Sequence, residues 1–398
     1  MQPINDKSKQ NLFDSYAPII FLLISVTALL IARGAFFSYQ SGDYIYFLKP
    51  WIEEYRSMTF LEGLGTKVGT YNPPYMYILN IISRMNVPDL TVIKIISVFF
   101  DFLLAYFIMR IVALRTNRVN VQIFAFLLTL SLPTVVINSA MWGQCDSIYA
   151  AFAVGAVYFG ITKQSKLSYS FMALALTFKL QAVFLLPILP MFVIANKIKL
   201  KDCYMFFAVY LATLLPAIIA GMPLNDALFS YVSQANYYNR LNLNMINIWR
   251  FVENVDYESF RTAGIYMTGV AILSLMYFTY VHKAHLIKTV DFVRLAYLFA
   301  VIMPFMLPKM HERYYFMADI LAVAVFFYDK RRWYVPAVTV LCSYISYAYF
   351  LMFWTELVDY RYAAIALFVV IIIVLRDYII SLRTPDNDLA PVDDIKLQ

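Results

Sequence analysis

The strongest constraint on this chain is a series of long apolar runs that continues from near its N-terminus almost to its C-terminus. Hydrophobic residues make up 62% of the sequence and charged residues only 14%, against about 45–50% and about 25% in soluble domains. One soluble core cannot bury this excess, whereas a bilayer takes up one apolar helix for roughly every 20 residues. We therefore predict an all-α polytopic membrane protein and exclude a soluble enzyme, a disordered chain and a single-pass receptor.

The apolar runs form one membrane domain over residues 17–380, between tails at 1–16 and 381–398. The length of the runs predicts about 11–13 transmembrane helices. We predict that the first run is a transmembrane span and not a cleavable signal peptide. The runs that we assign are 17–37, 75–114, 119–140, 147–162, 168–178 with 180–195, 203–220, 262–281, 291–308, 312–328, 334–354 and 360–380.

Clusters of Lys and Arg orient these spans, because short cytoplasmic loops collect basic residues. The clusters fall on one side only if 75–114 crosses once, with a break near Pro88, and if 168–195 enters and returns, with its turning point at Lys179. This topology predicts that both termini are cytoplasmic. The net charge of +7 is then explained by anionic membrane lipids facing the basic loops, and not by nucleic acid.

The same topology places the unusual polar stretches together on the outer face. Six separate segments meet there, which predicts a single site. They are residues 41–44, 71–74, 142–146, 178–181, 243–247 and 310–315.

Asp43 follows the first span and precedes a segment with helical spacing of apolar residues. We predict an interfacial amphipathic helix in the first outer loop, which would hold Asp43 at the boundary between water and lipid. A helix cap is the alternative role for Asp43. The residues expected to share the apolar face are Ile45, Leu48, Trp51, Ile52 and Tyr55.

Three further polar residues stand at span boundaries or breaks. Lys179 at a bilayer centre would cost about 2.5–3.5 kcal/mol, so we predict that it faces a polar cavity together with Gln181. Asp146 either has a charged partner or caps the helix that begins near Ser147. Asn72 lies in a stiff proline-containing turn, from which it could line the site.

His311-Glu312-Arg313 places three ionisable groups in a row at a span boundary. Consecutive helical residues diverge by about 100°, so we expect some of these groups to bind a ligand and others to orient their neighbours. Arg suits bidentate contact with phosphate, and His suits hydrogen bonding to it. The sequence shows no zinc-ligand spacing, no glycine-rich phosphate loop and no disulfide framework among its 3 cysteines.

Taken together, the motifs Ser-Gly-Asp43-Tyr, Tyr-Asn-Pro-Pro-Tyr75, Trp-Gly-Gln-Cys-Asp146, Phe-Lys179-Leu-Gln181 and Met-His311-Glu-Arg-Tyr-Tyr resemble those of the GT-C membrane glycosyltransferases. The resemblance is to bacterial proteins similar to the second mannosyltransferase of GPI-anchor synthesis. It extends from about Phe37 to Tyr328.

The resemblance implies a GT-C-type helix bundle and an inverting glycosyltransferase without a metal or other cofactor. It would move a hexose, with mannose as the family's common sugar, from a polyprenyl-phosphate donor to a lipid-linked or glycan acceptor. The site would face outward from a bacterial inner membrane. By the same resemblance Asp43 matches the catalytic acid of the first loop. Lys179, Gln181, His311 and Arg313 would handle the donor phosphate, and Asn72, Asp146, Asn244, Glu312 and Tyr314 would contact substrate.

Two other functions stay open at this point. A transporter or flippase of lipid-linked sugars would need inverted repeats and broken helices rich in Gly and Pro. No repeat is visible, and the chain has only 11 glycines. A non-catalytic partner of a glycan-assembly complex would keep its activity when Asp43 is replaced.

Overall fold

The computed structural model describes residues 6–231, 239–252, 254–352 and 359–384. Residues 1–5 of the predicted tail 1–16, residues 385–398 of the predicted tail 381–398 and the end of the predicted span 334–354 lie outside these residues. The described chain is a bundle of helices, as predicted. Its helices are α1 Asp6–Gly34, α2 Lys49–Arg56, α3 Phe60–Gly65, α4 Pro73–Ile82, α5 Asp89–Ala113, α6 Val119–Ser131, α7 Pro133–Val136, α8 Asp146–Ile161, α9 Ser165–Phe178, α10 Ile188–Ile194, α11 Tyr204–Ile219, α12 Leu224–Leu228, α13 Tyr257–Val281, α14 Thr289–Met306, α15 Phe316–Tyr328, α16 Tyr334–Leu351 and α17 Tyr360–Arg383.

Irregular turns join several of these helices. Two are π-helical, Tyr44–Leu48 before α2 and Ile137–Trp142 after α7, and the others are short 3-10 helices. The 3-10 segments are Leu180–Leu185, Leu200–Cys203, Ile248–Phe251, Lys283–His285 and Lys330–Arg332. One small parallel sheet pairs β1 Asn242–Leu243 with β2 Met310–His311.

Within the described residues, seven helices are long and apolar enough to cross a membrane, or eight if the pair around the 52° bend at α6 and α7 is one span. They carry large apolar side chains on their outer surfaces; for example, Ile24 and Leu273 are largely exposed. The protein is therefore a multi-pass membrane protein. The seven are Tyr16–Gly34, Asp89–Ala113, Leu200–Ile219, Tyr257–Val281, Thr289–Met306, Lys330–Leu351 and Tyr360–Arg383.

The remaining predicted spans are shorter helices, which lie inside the bundle. α8 and α15 are buried along almost their whole length, and they form the main core with α5, α14 and α17. A helix surrounded by other helices does not need to match the thickness of the bilayer by itself, because its neighbours separate it from lipid.

The turning point predicted at Lys179 is confirmed. α9 ends at Phe178, and Lys179 has an extended backbone with φ of −156°. At the opposite end of α9 from Lys179, the Lys199 amide N–H donates to the Ser165 hydroxyl at 3.0 Å. Because Ser165 begins α9 and Lys199 follows α10, the chain runs out to Lys179 and comes back.

The break predicted near Pro88 is also confirmed, since α4 ends at Ile82 and α5 begins at Asp89 directly after that proline. α4 is only 10 residues long, or about 15 Å, which is half of a typical hydrocarbon core. Of the run 75–114, α5 alone is long enough to span.

The bundle has two opposite ends that differ in chemistry. At the end called here the site end, Lys179 forms an ion pair with Asp146 at the start of α8. At the end called here the basic end, Arg332 binds Asp377 of α17 at 2.6 Å. Arg294 of α14 and Asp329, which follows α15, also approach to 3.9 Å there.

The helix predicted in the first outer loop is present, but one residue of its predicted apolar face is wrong. Ile52 and Tyr55 are buried against α4, whereas Ile45 is 43% exposed and Tyr44 is buried in its place. The reason is the π-helical turn at Tyr44–Leu48. A π-helix has more residues per turn than an α-helix, so the residues at the start of this helix face other directions than an α-helical pattern predicts.

Candidate functional site

Asp43 is held at the site end by a short segment that runs from α1 to the loop helix. The Ser41 hydroxyl donates to the Trp142 carbonyl at 2.8 Å. The Trp142 indole N–H then donates to Asp43 Oδ2 at 3.0 Å, and the Gln144 amide donates to the same oxygen at 2.5 Å. Although Asp43 immediately precedes a helical turn, its side chain makes no capping hydrogen bond, so the capping alternative is wrong.

The two donors come from the turn that links the π-helical segment to α8. Gly143 lies between Trp142 and Gln144 with φ of +75°, a left-handed conformation that glycine adopts without strain. This turn points the Trp142 and Gln144 side chains toward Asp43. Neither residue was among the predicted site residues, although both stand in the Trp-Gly-Gln motif.

Asp146 forms the deeper charged pair of the site. One of its oxygens contacts Lys179 Nζ, and the other accepts from the Asn138 amide at 2.8 Å. Asp146 is the first residue of α8 and has a charged partner; of its two predicted roles, the ion pair is the correct one. Lys179 also lies over the Tyr71 ring, with Nζ 5.8 Å from its centroid.

Arg313 stands between three carboxylates. Its guanidinium lies 3.0 Å from Glu312, 3.5 Å from Asp43 and 3.6 Å from Asp146, and it stacks over Trp142 at 5.2 Å. Together these carboxylates raise the pKa of Arg313 well above its usual value, against the opposing effect of burial. With Lys179, the group therefore has two cations and three carboxylates.

Glu312 is buried and stays ionised because of its neighbours. Burial alone would raise the pKa of its carboxyl, but His311 and Arg313 outweigh that effect and hold the pKa below its ordinary value of 4.5. His311 Nδ1 lies 3.8 Å from Glu312 Oε2. All three consecutive charged residues reach the cavity wall, and Glu312 is the most deeply buried of them.

A cavity of about 440 Å³ opens at this end of the bundle. The predicted site residues that line it are Asp43, Gln181, His311, Glu312, Arg313 and Tyr314. Asp146 and Lys179 are buried behind this wall. Much of the remaining surface is apolar, formed by Phe47, Leu48, Trp51, Leu180, Val183, Phe184, Leu243, Ile265, Leu307 and Phe350.

The two predicted asparagines lie beside the cavity. Asn72 is fully buried at the start of α4, where its amide donates to the Tyr210 hydroxyl at 3.5 Å. Asn244 has φ of +66° and pairs through its backbone with His311, next to the small sheet. The sheet thereby connects the 243–247 stretch to the His311 motif.

Asp101, which had no partner identifiable from sequence, forms a second buried network below the site. It forms an ion pair with Arg33 at 3.2 Å and accepts from Ser139 at 2.6 Å and from Ser147. Ser139 and Ser147 directly follow Asn138 and Asp146, the hydrogen-bonded pair of the deep site. Only tertiary contact reveals this network, because its four members come from four separate segments.

Among the described residues, no group of three or more His, Cys, Asp or Glu is arranged to hold a metal ion. Comparisons with known proteins add no assignment, since no protein-family model and no curated protein matches this chain.

Proposed function

We propose that this chain is an inverting glycosyltransferase of the GT-C type. It would transfer a hexose, with mannose as the first candidate, from a polyprenyl-phosphate donor to a lipid-linked or glycan acceptor. The observation that carries the proposal is a carboxylate, Asp43, fixed in the wall of a largely apolar cavity by hydrogen bonds to one of its two oxygens. The proposal includes no metal and no organic cofactor.

The hydrogen bonds of Asp43 support a role for one of its two oxygens. Trp142, Gln144 and Arg313 all contact Oδ2, and no described residue donates to Oδ1. Oδ1 would therefore act as the general base that takes the proton of the acceptor hydroxyl. As the hydroxyl oxygen bonds to the anomeric carbon, the bond from that carbon to the phosphate oxygen breaks, and the phosphate leaves with the electron pair. The anomeric configuration inverts.

The other site residues divide by position. His311 and Arg313 both line the cavity. His311 would stabilise negative charge on the leaving phosphate, and Arg313, 3.5 Å from Asp43, would hold the base in position. Gln181, Glu312 and Tyr314 would contact substrate from the same wall. Lys179 would act through Asp146, with which it is paired, while Asn72 and Asn244 would support the walls beside them.

The apolar lining supports a lipid-linked substrate. A prenyl chain gains roughly 0.8 kcal/mol for each buried CH₂ group, and the side chains of Phe47, Trp51 and Phe184 offer such a surface. A free sugar or nucleotide sugar would gain little from it.

The distribution of basic residues supports an orientation of the cavity in the membrane. The cavity and the clusters of basic residues lie at opposite ends of the bundle, and basic loops mark the cytoplasmic side. We therefore propose that the cavity faces outward and that both termini are cytoplasmic. The resemblance to bacterial proteins makes the inner membrane the proposed location.

The test is transfer by the purified protein in liposomes, offered a panel of polyprenyl-phosphate sugars, with lipid-linked products identified by mass. Asp43→Asn should lower the rate by about 10²–10⁴-fold, the usual cost of losing a general base, while donor binding stays largely intact. Asp226→Asn is the matched control, because Asp226 pairs with Lys67 on the surface and does not line the cavity.

Near-normal turnover by folded Asp43→Asn protein would contradict the mechanism. Movement of a labelled lipid-linked sugar across the liposome membrane without a product would favour the flippase alternative.

A further inference from the structure

An inverting displacement separates the base from the leaving group, because the two act on opposite faces of the anomeric carbon. In inverting glycosidases the two catalytic groups are about 6.5–9.5 Å apart. Arg313 lies only 3.5 Å from Asp43 and therefore belongs to the side of the base. The phosphate needs cations farther from Asp43 along the cavity.

Three basic residues line the cavity at its more exposed part: Arg261, Lys309 and His311. The side chains of Arg261 and His311 are 34% and 22% exposed, against 13% for Arg313 and 1% for Glu312. Arg261 thus lies nearest the mouth and Glu312 lies deep, whereas Asp43, with 21% of its side chain exposed, lies at about the level of His311.

The start of α13 and the segment before β2 pack together to build this mouth. Gly264 of α13 allows that approach, since a Cβ there would lie 3.2 Å from Pro308 and only 2.3 Å from the Trp249 ring. Tyr257, one turn before Arg261, lies under Lys309, with Nζ 5.4 Å from the ring centroid. Lys309 and Arg261 are thereby brought to one face of the mouth.

The backbone conformation of Lys309 indicates that its side chain must lie at this particular place. Its φ is +63°, a conformation uncommon for a residue with a side chain and concentrated at functional sites. Its amide N–H donates to the Leu241 carbonyl at 2.8 Å, which ties it to the small sheet.

The charges of the cavity fall into two groups. Asp43 and Glu312 line the cavity around Arg313, with Asp146 behind it, whereas the charged lining residues contributed by the start of α13 and the segment before β2, Arg261 and Lys309, are both basic. Glu258 pairs with Arg261 at 2.5 Å, but it is 65% exposed and does not line the cavity. A phosphate in the cavity is attracted to Arg261 and Lys309 and repelled by the carboxylates around Arg313.

We propose that Arg261 and Lys309, together with His311, form the binding site for the phosphate of a long-chain alcohol phosphate. The inference rests on the proposed function for its biological meaning: the donor would enter as the sugar phosphodiester and leave as the lipid monophosphate. Its sugar would then lie between the mouth and Asp43, and the prenyl chain would lie on the apolar wall.

The test measures binding and needs no transfer. Farnesyl monophosphate, a short prenyl phosphate, is titrated against the purified full chain, with farnesol and inorganic phosphate in parallel. Arg261→Gln and Lys309→Gln should each weaken farnesyl phosphate binding by about tenfold, a typical effect of losing one charge-assisted hydrogen bond. The double variant should lose more than either single variant, and farnesol binding should not change.

Lys67→Gln is the matched control, because Lys67 pairs with Asp226 at the same end but does not line the cavity. Wild-type affinity in the double variant, with lost affinity in Arg313→Lys, would overturn the proposal and place the phosphate at Arg313. Inorganic phosphate that binds as tightly as farnesyl phosphate would overturn the lipid part.

The two proposals fail separately. If farnesyl phosphate binds and its binding depends on Arg261 and Lys309, but no sugar is transferred, the proposed reaction is contradicted and the phosphate site is supported. Transfer that depends on Asp43, with unchanged prenyl phosphate binding in the double variant, would do the reverse.

Discussion

Asp101 acts at a distance from the cavity that it supports. Its carboxylate is fully buried and contacts Ser139 and Ser147. Each serine is the neighbour of a residue of the deep pair, Asn138 and Asp146. A shift in this network would therefore displace Asp146 and, with it, the charges that orient Arg313.

Replacing Ser147 with Ala removes one bond of this network and keeps the Arg33–Asp101 ion pair. We expect a loss of about 1–3 kcal/mol in stability, because a buried acceptor loses a partner, and a fall in transfer rate of about tenfold. Ser147→Thr should restore most of the rate, since it keeps the hydroxyl. Rate and thermal unfolding are measured on the same preparations.

Ser343→Ala is the control for this prediction. The Ser343 hydroxyl donates to another buried carboxylate, Asp319, at 2.8 Å, and Ser343 does not line the cavity. It should lose similar stability but keep its rate. Equal losses of rate in Ser147→Ala and Ser343→Ala would show that the Asp101 network has no special connection with the site.

At the scale of elements, the break at Lys179 shows how one charged residue ends a helix inside an apolar run. If α9 continued past Phe178, the Lys179 ammonium would need a polar partner on the helix surface. The extended backbone instead brings it to Asp146. The pair thereby joins the end of α9 to the start of α8 and positions Gln181 at the cavity wall.

A second element contact depends on a glycine at the end of α3. A Cβ on Gly65 would lie 2.2 Å from the Ala220 carbonyl oxygen, a main-chain atom that cannot move alone. We expect Gly65→Ala to lower stability by about 1–3 kcal/mol, the usual cost of overpacking, as measured by thermal unfolding in detergent.

Gly269→Ala is its control, because a Cβ there meets nothing within 4 Å. In the middle of α13 it should leave stability unchanged or raise it by up to about 1 kcal/mol through helix propensity. A Gly65→Ala protein as stable as Gly269→Ala would show that α3 does not pack closely against the turn after α11.

For the whole molecule, the two ends of the bundle predict labelling from opposite sides of the membrane. Tyr46 is 75% exposed next to the site end, and Arg331 is 78% exposed at the basic end. In a background without Cys145, Cys203 and Cys342, Tyr46→Cys should react with an impermeant maleimide from the outside. Arg331→Cys should react only after the cytoplasmic side is opened.

Both positions should react in detergent, which controls for accessibility. Labelling of positions 46 and 331 from the same side of intact cells would contradict the predicted crossings. It would also remove the argument that the cavity faces outward.

The class of the molecule, its two breaks and the separation of polar from basic segments can all be predicted from the amino-acid sequence. These features depend on local quantities. The length of an apolar run decides whether a helix can span the membrane, and Pro88 and Lys179 interrupt such runs. The positive charge of short loops distinguishes the cytoplasmic end of the bundle from the outer end. They can be inferred without knowing which helices touch.

Which side chains meet could be seen only in the folded protein. The contact of Trp142 and Gln144 with Asp43, the position of Arg313 between three carboxylates and the partners of Asp101 join segments far apart in sequence. Such contacts depend on how each helix is rotated and where it crosses its neighbours, and packing sets both. Ile45 shows how far prediction from periodicity reaches, because one π-helical turn rotated its side chain out of the face predicted from α-helical periodicity.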